Sequence, residues 1–152
     1  MEIYMDNRQD KLDLDDNIYK ILEEVIKECL LLEKKSTNYE ISISLVDNEE
    51  IRQLNREYRN IDSETDVLSF PLDEDFGEVP MLGDIVISLE KALEQSIEYG
   101  HSLTREMAYL TAHSMFHLMG YDHIEEDEKN IMREKEKEIM KKLRIFKDEE
   151  VE

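Results

Sequence analysis

Apolar residues recur along the chain with two periods, 3.6 and 2, and the switching between them lays out a mixed α/β protein. Ile18, Ile21, Leu22, Val25, Cys29 and Leu32 stand at helical spacing and predict an amphipathic helix over 15–34. Tyr39 to Val46 alternates apolar and polar, the pattern of a strand with one buried face. Asp47 follows as an N-cap, with Glu50 in capping-box position, and opens a helix that carries Ile51, Leu54 and Tyr58 on its buried face. Thr65 to Phe70 reads as a strand stopped by Pro71, 73–80 as a polar loop or wide hairpin turn, and Gly83 to Ser88 as a buried strand. Residues 2–5 fit a short first strand, and 89–99 a helix. Ser102 caps a helix over 103–119 in which Met107, Ala108, Leu110, Ala112, Met115, Phe116, Leu118 and Met119 cover most of the circumference. A helix apolar on nearly all sides is a central one. The last helix, 125–146, is highly charged and turns Ile131, Met132, Ile139, Leu143 and Phe146 inward. There is no internal repeat and no Pro/Gly/Ser-rich linker. The expectation is an α+β (mixed α/β) fold: a single domain over 1–152 with a small mixed sheet packed with helices.

Composition narrows the function classes. A chain of 152 residues with 40% hydrophobic content can build a core without staples. No apolar run approaches the length of about 18 residues that suggests a membrane span. The opening Met1 to Asp6 lacks a basic and apolar signal pattern, and the one cysteine cannot form an internal disulfide, so a cytoplasmic protein is expected. Cys29 falls within a helical apolar series and reads as a core thiol. Lys and Arg total 19 against 39 Asp and Glu, a formal net charge of -20. Such a surface repels polyanions at long range. A nucleic-acid partner must therefore meet a local basic patch, or be docked through another protein.

The candidate chemistry concentrates in Ala112 to His123, which holds three of the four histidines. His113 and His117 lie one helical turn apart and project from one face. Gly120 can end the helix in a left-handed conformation, and the reversed chain can bring His123 to the same point. The spacing H-x3-H-x2-G-x2-H is that of the metzincin protease signature, except that Ser114 stands where a protease keeps its Glu. Three imidazoles with an open fourth position suit catalytic zinc, whose bound water ionises near neutral pH; nickel, cobalt and copper also accept such ligands. A structural site would need a fourth protein ligand, and no second Cys or nearby His offers one. Asp122 is a candidate acceptor for a ring N–H, or a turn residue after Gly120. Arg52, Arg56 and Arg59 form a stripe on one helix. Arg52 and Arg56 read as a solvated face, whereas Arg59, at the helix end, can clamp a phosphate bidentately. His101 reads as a surface or capping-region residue.

Three segments together resemble the YbeY family of bacterial metal-dependent endoribonucleases and rRNA maturation factors. They are Leu54 to Arg59 running on to Thr65–Pro71, then Leu82 to Ser88, then His113 to His123. The resemblance spans nearly the whole chain and implies a metzincin-like metal-binding helix, zinc on His113, His117 and His123, and a functional role for Arg59. It also implies cleavage of single-stranded RNA, rRNA end processing and ribosome quality control. The family usually has Gly at the Ser114 position and Leu at the Phe116 position, and often has Pro at the Glu64 position. Ser114 could bond back to the helix carbonyls. Two rival functions fit the same residues. One is a metal-stabilised ribosome-assembly factor that binds rRNA or ribosomal proteins without cutting, favoured by the acidic surface. The other is a metzincin-like metallopeptidase, opposed by Ser114. The residues alone leave the nucleophile open between water and the RNA 2′-hydroxyl.

Overall fold

β1 (Glu2–Asn7) runs parallel to β2 (Glu40–Val46), and α1 (Asp16–Leu32) makes the crossover that a parallel pair requires. The computed structural model describes residues 1–72, 80–121 and 125–145. After β2 come α2 (Asn48–Arg59), β3 (Val67–Pro71), β4 (Met81–Ser88), α3 (Leu89–Tyr99), α4 (Leu103–Leu118) and α5 (Glu126–Lys142). The strands form one sheet in the order β1-β2-β4-β3, with β4 parallel to β2 and β3 antiparallel at the edge. This is the small mixed sheet with packed helices that the alternation of periods predicts.

Strand alternation decides which helix covers which face. Ile41, Ile43 and Leu45 of β2 and Ile85 and Ile87 of β4 join α1, α4 and α5 in the main core. Val46, Leu68 and Val86 belong to a smaller cluster with Ile51 and Leu54 of α2. The apolar side chains of α4 from Met107 to Leu118 are buried on nearly every side, so this helix is central. Cys29 is fully buried, and burial pushes its thiol pKa up, as befits an inert core thiol.

The caps form where expected. Asp47 accepts the Glu50 N–H at 2.9 Å, and Ser102 accepts the Arg105 N–H at 3.1 Å. The Glu50 carboxylate pairs with Arg8 at 2.6 Å.

Several expectations change. Tyr58 is 63% exposed, and its ring meets Phe70 edge-on at 5.4 Å. Ile131 is also exposed, since its neighbour Met132 takes the inward direction and successive helical residues point about 100° apart. The helix ends at Lys142, and Arg144 takes a left-handed conformation. Phe146 and the loop 73–79 lie outside the described residues.

Gly83 sets the spacing between β4, β3 and α4. A Cβ there would sit 2.6 Å from the Phe70 carbonyl oxygen and 2.7 Å from Leu118 Cδ2. Gly83→Ala is expected to destabilise the protein by about 2 kcal/mol through overpacking against backbone. Denaturant unfolding checks this, and a change under about 0.5 kcal/mol, the range of ordinary surface substitutions, would contradict it.

Candidate metal centre and cleft

α4 delivers His113 and His117 to one face because they are four residues apart. Their ring centroids lie 4.8 Å apart, edge to face. Both rings line a cleft of about 440 Å³ at the edge of the sheet, together with Arg59 from the end of α2 and Thr65 to Ser69 and Pro71. Residues far apart in sequence thus meet because β3 is the edge strand, with the end of α2 beside it and α4 packed against it. The third histidine of the spacing, His123, and its neighbour Asp122 lie outside the described residues. Among the described residues alone, no three His, Cys, Asp or Glu side chains form a cation set.

The end of α4 fixes where the following segment begins. Tyr121 N–H donates to the Phe116 carbonyl at 2.9 Å and Gly120 N–H to that of His117 at 3.0 Å. Gly120 has φ +103°, and Tyr121 packs edge-on against Phe116. This is a Schellman closure with its hydrophobic contact, and it needs the conformational freedom of glycine. The Tyr121 hydroxyl donates to Glu33 at 2.6 Å, and Lys135 reaches the same carboxylate at 2.7 Å. Partial burial opposes the Glu33 charge, but these two bonds outweigh it and hold its pKa below the ordinary value. Glu33, just past α1, and Lys135 of α5 therefore anchor the chain at Tyr121, two residues ahead of His123 in sequence.

Glu136 is the residue that sequence reasoning missed. It is 3% exposed, and its Oε2 lies 2.6 Å from His113 Nδ1. A carboxylate on Nδ1 places the ring proton there and leaves Nε2 as the nitrogen that would meet a metal if one were held here. Tyr109 stacks on His113 with centroids 6.0 Å apart. Burial first, and then Glu136, raise the Tyr109 pKa, so its hydroxyl stays protonated. A signal for Glu136 was present in the sequence: Met132, Glu136, Ile139 and Met140 share one helical face, and a carboxylate on an apolar stripe calls for a partner. Two imidazoles on one face, one backed by a buried carboxylate, fit a histidine-bound divalent metal.

The other marked residues have structural roles. Ser114 is buried and bonds across to the Ser69 hydroxyl of β3, while Thr111 is the residue that bonds back, to the Met107 carbonyl at 2.8 Å. Arg52 forks onto Asp62 at 2.8 and 3.3 Å and holds that carboxyl pKa down, pinning the turn after α2. Asn55, buried below the same turn, donates to the Ser63 carbonyl at 3.1 Å. Arg56 is exposed. His101 has little exposure; it meets the buried Glu106 at 2.7 Å, and Gln95 donates to the other oxygen of that carboxylate at 2.8 Å. A carboxylate buried in the first turn of α4 needs such donors, which draws His101 inward.

The fold and cleft define a mixed α+β protein whose central helix brings a histidine pair to a cleft shared with an arginine. The sequence profile described as "Endoribonuclease YbeY" matches residues 4–144. Relatives of that name are 58% identical in Thermoanaerobacter sp. (strain X514), covering 95% of this chain and 99% of theirs, and 53% identical in Finegoldia magna, covering 99% of each. The relative in Clostridioides difficile (strain 630) is 52% identical over 97% of this chain and all of its own. The solution structure of TM1509 from Thermotoga maritima superposes with a TM-score of 0.57 at 25% identity, covering 93% of this chain and 91% of the other. The chain belongs to the YbeY endoribonuclease family.

Proposed function

We propose that this chain is a metal-dependent endoribonuclease that cuts single-stranded RNA in the cytoplasm, in rRNA maturation and ribosome quality control, with ribosomal proteins as docking partners. The observation that carries this reading is the cleft in which Arg59 meets His113 and His117, in a chain of this family. His113, His117 and His123 would hold the metal through ring nitrogens, and zinc suits three neutral imidazoles with a position left over. When bound, it supplies a Lewis acid for the phosphodiester. Glu136 fixes the tautomer and orientation of His113. Arg59 binds phosphate oxygens through its planar fork and opposes the negative charge that grows on them. The residue after His113 is the buried Ser114, so the helix offers no peptidase-type carboxylate base. No helix among the described residues is long and apolar enough to cross a membrane.

The test is cleavage of an unstructured RNA and of a duplex of the same sequence, with and without chelator. The unstructured strand should be cut and the duplex spared. Chelation should abolish cutting, and zinc should restore it. Chelator-resistant cutting, or equal cutting of the duplex, would contradict the reading. A cyclic phosphate at the product end identifies the 2′-hydroxyl as nucleophile.

A further inference from the structure

A second surface meets the requirement that the acidic composition imposes. Arg133, Lys137 and Lys141 recur every four residues on α5 and are all exposed, so they form one cationic stripe. With Arg105 of α4 they line a groove of about 520 Å³ between the two helices, floored in part by Tyr109 and Met140. Arg105 is held in place by a bond from Nη1 to the Ile145 carbonyl at 2.9 Å, a neutral acceptor, and has no ion pair among the described residues.

Two other cations of α5 behave differently. Lys135 pairs with Glu33 at 2.7 Å, and Lys142 pairs with Glu28 at 2.7 Å, both towards α1. In the groove, Lys137 reaches only Glu134, at 3.8 Å with both side chains well exposed, and Arg133 and Lys141 have no ion pair among the described residues. Among the described residues, the one carboxylate lining the groove is Glu136, and it is bonded to His113. In a chain of net charge -20, four cations are thus gathered around an acidic group that is already engaged.

The groove adjoins the cleft. Tyr109 is 38% exposed, lines the groove and stacks on His113, which lines the cleft. We infer that the groove between α4 and α5 is a phosphate-binding track for the single-stranded RNA that flanks the scissile bond, with Tyr109 as a stacking surface between track and cleft. Cations spaced along a groove beside an exposed aromatic ring are what a single strand requires of a binding surface. This rests on the nuclease reading and adds to it where the rest of the substrate lies.

The test compares the wild-type protein with the triple variant Arg133→Gln, Lys137→Gln, Lys141→Gln across a salt series. Two unstructured RNAs are used, one just long enough to fill the cleft and one several times longer. For a single strand, each phosphate that the protein no longer neutralises takes about 0.7 off the slope of log affinity against log salt. The triple variant should therefore reduce the long-strand slope by roughly 2 and weaken long-strand binding, while short-strand binding and cleavage stay at wild-type values. Thermal melting checks that the variant is folded; if it is not, the single changes Arg133→Gln and Lys141→Gln carry the same test, each with a slope change of about 0.7. Wild-type slope and affinity for the long strand in the folded variant would overturn the track while leaving the nuclease reading intact. So would an equal weakening on both strands, or displacement of the long RNA by poly-glutamate as effectively as by RNA. A wild-type protein that neither binds nor cuts either strand would overturn both.

Discussion

Arg59→Ala is expected to lower RNA cleavage by a hundredfold or more, the scale on which a single donor to a developing oxyanion acts (about 10²–10³). Arg59 lines the cleft with His113 and His117, and its side chain lies at the exposed end of α2. Its removal should leave stability within about 0.5 kcal/mol, because exposed side chains outside special features contribute little. Arg59→Lys should rescue poorly, since an ammonium is a point charge and cannot fork onto two phosphate oxygens. Arg52 provides the contrast. It is tied to Asp62 in an exposed pair, and such pairs contribute little, so Arg52→Ala should leave both the melting temperature and cleavage close to wild type. Single-turnover cleavage and thermal melting on the three variants decide the matter. Wild-type cleavage by Arg59→Ala would remove the arginine from the mechanism.

The second large effect is expected at Glu136, on metal affinity. Carboxylates that hold a ligating histidine by its second nitrogen typically contribute about 10–100-fold to metal binding. Glu136→Ala removes that partner from His113 and should weaken zinc binding by about that factor, read by competition with a chromophoric chelator. Glu136→Gln keeps an acceptor oxygen and most of the volume, so it should fall between Ala and wild type. The Ala change should also lower the stability of the metal-free protein by about 1–3 kcal/mol, because buried polar groups lose a partner. A structural role alone would lower stability in metal-free protein while leaving zinc affinity untouched. That outcome would exclude Glu136 from positioning the site.

The two periods of the chain placed most of the elements, because amphipathic helices and half-buried strands write their burial into residue spacing. Asp47 and Ser102 announced their helices through local caps. His113 and His117 were legible for the same reason, since a spacing of four on a helix fixes a shared face whatever surrounds it. Arg59 stood out by its place at a helix end and by the family pattern. What spacing could not show was which distant groups those residues face. Glu136 lies 23 residues beyond His113, and only the packing of α5 against α4 joins them. Ser114 has the spacing of a helix residue that bonds back to its own turn, yet a hydroxyl on β3 claims it. His101 looked like a cap neighbour until the buried Glu106 drew it inward. The charge total also misleads as an average, because ion pairs towards α1 neutralise some α5 cations and leave others to line the groove. Local periodicity is set by the backbone and can be read from the sequence. The partner of a polar side chain is set by long-range packing, and the tertiary structure alone decided it.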